Sequence, residues 1–163
     1  MTPRTKAQSE QVRIESHARL VRAARAMFAS KGFFACKVGD IAREAGMSQG
    51  NVYWHFSSKE EILQEILAEG FGAIEIMTAE VADAPGTSRR KIDLLIERTL
   101  ALYADHGEFA RILGTMMGHG GQELLASLGF NMAEIGGRYH ANLERVFAQA
   151  RREKVVADVE PNF

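Results

Sequence analysis

The 163-residue chain contains one cysteine, three prolines and one tryptophan. A lone cysteine, Cys36, excludes any intrachain disulfide, so a reducing, cytoplasmic setting is expected. With proline so scarce, long stretches are free to run as helix. No apolar run approaches the roughly 20 residues needed to cross a bilayer, and the polar start MTPRTKAQSEQVRIESHARL lacks the apolar centre of a secretory signal. No membrane partner is expected. The patterns of common enzyme classes are also missing: there is no nucleophile elbow, no HExxH, no CxxC and no phosphate loop. The chain is therefore read as a non-enzyme without a cofactor. His106, His119 and His140 are too scattered to be read as a metal site.

Net charge is small too, at −1, but it is unevenly spread. Residues 1–59 carry ten Lys or Arg against four Asp or Glu, whereas residues 60–163 carry ten against seventeen. A basic amino-terminal third on an acidic body fits a nucleic-acid-binding head. Charge alone fits an anionic membrane surface equally well, so the decision falls to local pattern.

What is present is helix. A polar arm with Arg4 and Lys6 precedes a first helix expected from about residue 11 to Lys31, where Ile14, Ala18, Val21, Ala24 and Phe28 share one face. Gly32 ends it, and Phe33 and Phe34 are expected as core anchors. A short helix from about Val38 to Ala45 turns at Gly46, where glycine takes a positive φ cheaply. Ser48 caps a third helix, about Gln49 to Phe56. Ser58 and Glu61, spaced as a capping box, open a fourth that runs to about Ala82, with Gly70 and Gly72 as kink points. After the linker Asp83–Gly86, Thr87 or Ser88 caps a fifth helix to about Asp105. A break at His106–Gly107 precedes a sixth, Glu108 to Met117. Past the glycines around His119, a long helical region from Gln122 to Val155 is weakened at Gly129 and Gly136–Gly137, and the tail ADVEPNF comes last.

At ~100° per residue, Val52 and Phe56 of the third helix fall together and face a core. Gly50 and Trp54 lie opposite with Asn51 beside them, and Tyr53 and His55 project to the flanks. In a helix-turn-helix the first turn of the second helix enters the major groove. Gln49 and Asn51 there present a donor and an acceptor to an adenine edge, and Gly50 permits close approach. Tyr53 and His55 suit phosphates on the two groove walls. Lys59 lies in the first turn of the next helix, where an anion is already favoured. Each has a plainer alternative: Tyr53 half-buried, His55 between helices, Trp54 packed on a neighbour, Lys59 merely solvated.

The run LVRAARAMFASKGFF followed by VGDIAREAGMSQGNVYWHFSSKEEIL resembles the TetR family of bacterial transcription regulators. The match rests on Ala23–Ala24, Phe28, Gly32–Phe33, Asp40–Ile41–Ala42, Ala45–Gly46, Tyr53, His55–Phe56 and Ser58–Lys59–Glu60. The resemblance implies an all-α chain: a three-helix helix-turn-helix DNA-binding domain over residues 14–74, then a helical effector-binding and dimerisation domain over 75–163. It implies DNA contacts from Lys37, Ser48, Gln49, Gly50, Asn51, Tyr53, Trp54, His55 and Lys59. Where the family often has a capping Thr or Ser, this chain has Cys36–Lys37; Lys37 still reaches a phosphate, but the second helix loses a good cap. Cys36 reads as a small buried apolar residue.

In this family the carboxyl-terminal helices enclose a small molecule, and Phe71, Ile74, Met77, Leu102, Phe109, Ile112, Met116, Phe130, Tyr139, Leu143 and Phe147 supply apolar, pliable surface for one. Relatives continue past a segment like REKVVADVEP into two further helices that pair across a two-fold axis, whereas this chain stops at Phe163. The second domain is accordingly read as truncated and the homodimer as weakened or altered. The expectation is a repressor that binds a partly palindromic double-stranded operator and is released by an apolar or amphipathic effector. The alternative is a truncated interaction protein that pairs with a full-length relative and does not bind DNA alone.

Overall fold

Strong helix formers and few breakers give helices throughout. The structure, a computed structural model, describes residues 6–118 and 120–156, apart from the side chains of Asp105 and His106. Arg4, His119, the His106 side chain and the tail from residue 157 lie outside the described residues. All regular structure among the described residues is α-helical: α1 (Lys6–Lys31), α2 (Val38–Glu44), α3 (Gln49–His55), α4 (Lys59–Asp83), α5 (Ser88–Met116), α6 (Gly121–Ser127) and α7 (Met132–Arg152). No helix is long and apolar enough to cross a membrane, among the described residues.

The helix limits differ from expectation in three places. α1 begins at Lys6, not near residue 11, and residues 6–15 are all exposed. Nothing apolar marks those turns; Lys, Ala, Gln and Glu hold them by propensity, helped by Glu10–Arg13 and Gln11–Glu15 contacts. α5 runs unbroken through His106–Gly107, where a break was expected. One interior glycine costs a helix about 1 kcal/mol, which tertiary packing overrides. The last helical region splits at residues 128–131 around Gly129 (φ +84) and the Asn131 N-cap, while Gly136 and Gly137 stay inside α7.

The chain forms two compact units, residues 1–68 with 108–124, and residues 69–107 with 125–163. In the first, the buried face of α1 is Leu20, Val21, Ala23, Ala24 and Phe28. Ile14 and Ala18, expected on that face, are not buried with it; the inward stripe starts only at the half-buried His17. Phe33 is buried against Phe28, ring centroids 5.2 Å apart, but Phe34 is 59% exposed. Two consecutive residues of a tight turn cannot both point inward, so only one of the expected anchors is one. Ile41, Ala42, Ala45, Val52, Phe56, Ile62, Leu63, Ile66 and Leu67 complete this core, with Phe109, Ile112 and Met116 from the second segment.

The second unit centres on Val81, Ala82 and Val146, with Met77, Ile92, Leu94 and Leu95 around them. Arg138–Glu75, Asn142–Thr78 and Arg145–Asp83 join α7 to α4 in rising register, so these two helices run parallel. Arg98–Glu80 and Lys91–Ala82 descend in register, so α5 runs antiparallel to α4. The nearly buried Lys91 ammonium donates to the Ala82 carbonyl at 2.8 Å, satisfying one of the orphan acceptors at the end of α4.

The Glu153 carboxylate accepts the Ser88 N–H at 2.8 Å and its hydroxyl at 2.7 Å, tying the end of α7 to the start of α5. Hydrogen bonds from Gln149 first, then from Ser88, hold this carboxyl below its ordinary value of 4.5. A lowered folded-state pKa means the stabilisation is complete above the unfolded value and is lost as pH falls through the folded one. Glu153→Gln is therefore expected to lower stability at neutral pH and to flatten its decline on acidification. Urea unfolding from pH ~7 to pH ~3 checks this; equal acid sensitivity in both proteins would show that the tie carries no pH-dependent stability.

Candidate nucleic-acid interface

α2 ends in a turn that leaves the start of α3 little freedom. The Met47 N–H reaches the Ala42 carbonyl at 2.8 Å and the Gly46 N–H reaches the Arg43 carbonyl at 3.1 Å, the paired bonds of a Schellman motif. Gly46 has φ +63. Ser48 then accepts the Asn51 N–H at 3.2 Å and caps α3.

The two turns of α3 are sided as its sequence predicts. Val52 and the adjoining Phe56 are buried. Gln49, Gly50 and Asn51 are exposed, Tyr53 is 55% exposed and Trp54 66% exposed. Trp54 touches the edge of the His55 ring within its own helix, centroids 4.7 Å apart, and otherwise stands in solvent rather than packing on a neighbouring helix. A Cβ on Gly50 would meet nothing closer than Ser48 Oγ at 3.8 Å, so the fold itself does not demand glycine there. The Gln49 amide lies over Gly39 of α2, where an added Cβ would come within 2.8 Å of Nε2.

His55 is half-buried. Its ring lies 5.6 Å from His17 of α1, and burial first, then His17 and Arg13, pull its pKa below the ordinary 6.5. His17 stacks on Phe56 and its Nε2 lies 2.8 Å from a Glu65 oxygen, linking α1 to α4.

Lys37 is exposed at the N-cap of α2 and makes no side-chain cap. The expected loss of a cap is offset from inside the helix: the Asp40 carboxylate accepts the Lys37 N–H at 3.1 Å and pairs with Lys31 at 3.2 Å. Those two contacts, the backbone bond foremost, hold Asp40 below the usual carboxylate range. Lys59 is less free than expected. Its ammonium donates to the Phe33 carbonyl at 3.0 Å and the Cys36 carbonyl at 3.1 Å, and lies 4.3 Å from the centre of the Phe33 ring. The Ser58–Glu61 box is also shifted: Ser58 accepts the Glu61 N–H, but the Glu61 carboxylate reaches back to Ser57. Lys37, Gln49, Tyr53 and Lys59 line one open groove of about 710 Å³ between the starts of α2 and α4 and the flank of α3.

Of the residues expected around an effector, Phe109, Ile112 and Met116 are buried core of the first unit. Phe71, Ile74, Met77, Leu102, Phe130, Tyr139, Leu143 and Phe147 belong to the second, where the Phe71 and Phe130 rings meet at 5.4 Å. No group of three or more His, Cys, Asp or Glu able to hold a metal occurs among the described residues.

A seven-residue helix with a buried seam, an exposed polar first turn and a Schellman turn behind it is a helix-turn-helix head. Residues 20–66 match the family described as bacterial regulatory proteins, tetR family. The transcriptional regulator SrpR of Pseudomonas putida is 37% identical over 76 residues, covering 47% of this chain and 34% of its own length. The chain spans about a third to a half of the length of the first curated relatives it matches. The crystal structure of the TetR-family regulator PfmR from Thermus thermophilus superposes with a TM-score of 0.71 at 22% identity, covering 87% of this chain and 75% of that one. The regulator FadR from Bacillus subtilis, solved in complex with stearoyl-CoA, does so with 0.65 at 22% identity, covering 88% and 75%. At such identities the likeness is one of fold. The likeness to tetR-family regulatory proteins is carried by residues 20–66, the helix-turn-helix head.

Gly46→Ala tests the turn. A Cβ at Gly46 would meet nothing within 4 Å, so its whole cost is the left-handed backbone. The expected loss is about 1–2 kcal/mol, read as a lower urea midpoint at unchanged m-value. A change within a few tenths of a kcal/mol would mean that the turn relaxes without penalty.

Proposed function

We propose that the chain is a sequence-specific DNA-binding transcriptional regulator, acting as a repressor. The observation that carries the reading is the outward face of α3: Gln49, Gly50, Asn51 and Trp54 stand in solvent while Val52 and Phe56 anchor the helix from behind. A large aromatic and a polar first turn left exposed on a basic head fit a DNA groove better than bulk water. In this reading Gln49 and Asn51 address base edges across a gap that Gly50 keeps open. Ser48, Tyr53 and Lys37 flank the backbone, and His55 meets it as a neutral imidazole.

The division of labour is then that residues 14–74 read DNA and residues 75–163 bind an effector and pair two chains in the cytoplasm. A dimer would set two α3 helices in successive major grooves of a partly palindromic operator. The stearoyl-CoA bound by the structurally similar FadR supports an apolar or amphipathic effector. Such a ligand acts only through its differential affinity for two states of the protein.

One observation favours a second reading. Ile96, Leu100 and Tyr103 of α5 are four and three residues apart and all exposed, forming one apolar stripe. A chain that pairs with a longer relative through such a surface and does not bind DNA alone would use it. Sedimentation with and without operator separates the two, since the repressor needs two identical chains per site.

Titration with the DNA upstream of its own gene, followed by Trp54 fluorescence, tests the main reading. Binding is expected to saturate at two chains per site and to survive competitor DNA. Gln49→Ala should cost about 1–3 kcal/mol at particular base pairs only. Tyr53→Phe should weaken all sequences alike, and Lys37→Ala should reduce the salt slope by ~0.9. Three unchanged footprints would sink the assignment of these residues.

A further inference from the structure

Building on the DNA-binding reading, we infer that Lys59 is a positioning residue. It latches the connection between α1 and α2 and so holds the reading helix, rather than lending its charge to a DNA phosphate. An ammonium has three N–H donors. Two of them go to the Phe33 and Cys36 carbonyls, at 3.0 and 3.1 Å, and the charge rests over the Phe33 ring. Both carbonyls belong to the loop that delivers the chain into α2.

That loop is pinned from both sides. Asp40 takes the N–H of Lys37 while Lys59 takes the carbonyl just before it, on Cys36. α2 has only seven residues and no side-chain cap from Lys37, so its start depends on those neighbours. α2 in turn delivers the Schellman turn at Gly46 and hence the start of α3. A lysine placed to neutralise phosphate would keep its donors in solvent; this one has carried them inward over an aromatic face.

Cys36 lies in the latched loop with 1% of its surface exposed, and burial raises its thiol pKa. It is the only cysteine in the chain, so its labelling by an aromatic disulfide reagent reports opening of this loop alone. The test compares Lys59→Met, which keeps the apolar stem, with wild-type protein brought to the same global stability by urea. Labelling of the variant is expected to be about tenfold faster than in that control, the mark of local opening. Affinity should fall for all DNA sequences at an unchanged salt slope. Labelling no faster than the control would overturn the proposal, and so would a slope shallower by ~0.9, the signature of one lost phosphate contact. Should the methionine variant not fold, Lys59→Gln, whose shorter, uncharged side chain gives up the ammonium's reach to both carbonyls, carries the same comparison. The labelling needs no DNA, so failure to bind an operator would overturn the functional reading and leave this result to stand or fall by itself.

Discussion

The burial of Val52 and Phe56 is the constraint on which the interface depends. A helix of seven residues has no stability of its own in water, because nucleation costs more than two turns return. α3 exists because these two side chains enter the core, each contributing about 1.5–3 kcal/mol. Fixing two points on one side of so short a cylinder also fixes the other side. Gln49, Gly50, Asn51 and Trp54 are outward because Val52 and Phe56 are inward, and no separate interaction has to hold them there.

This explains which parts of the molecule are legible in the sequence. The head is, because its signals are local and agree with one another: a glycine where the backbone needs positive φ, a serine one step before a helix, a seam at the helical period. Features set by partners distant in sequence are not. Phe34 looks like a core residue until the turn at Gly32 is built, and then only Phe33 can face Phe28. The first turns of α1 carry no apolar signal, since they bury nothing. The Gly107 break does not form because one glycine is a weak veto against a 29-residue helix with packing along it. Lys59 reads as an exposed cation because its partners are backbone carbonyls 23 and 26 residues away, which no side-chain pattern announces. The cap of α2 escapes the sequence for a smaller reason: Asp40 performs it from inside the helix rather than from the position before it.

In the proposed DNA-binding role, polar satisfaction, more than net charge, decides which basic groups of the head could meet a phosphate. Arg13 pairs with Glu10, Lys31 and Arg43 with Asp40. These pairs are partly exposed, and such contacts are worth little, so a phosphate competes for Arg13 or Arg43 at small cost. Lys59 differs because its partners are neutral acceptors in a loop; drawing the ammonium away leaves the Cys36 carbonyl to be resatisfied, the Phe33 carbonyl with only the longer Cys36 N–H bond, and an α-helix without its lead-in. The surplus of six positive charges in residues 1–59 therefore overstates what the interface can offer. Lys37 stands apart from all of these. Its backbone N–H is committed to Asp40, yet its side chain is exposed at the mouth of the groove, so it brings charge to the surface without loosening the loop that carries it.

The same economy applies to the aromatic groups behind α3. His17 stacks on Phe56 and meets Glu65, while His55 sits between His17 and Trp54. One run of contacts thus leads from the exposed indole to α1 and α4. Because burial and neighbouring positive groups keep His55 toward its neutral form near pH 7, this run brings no unpaired buried cation beneath the reading face. A charged imidazole there would repel His17 whenever that ring was also protonated, and would weaken the packing that α3 depends on. The head is therefore built so that its positive charge lies at the rim, on Lys37 and the arginines, and its anchoring lies underneath, in neutral rings and aliphatic side chains. In the proposed DNA-binding role, sequence reading and phosphate attraction would fall to different residues, which would let either be altered by substitution without unseating α3.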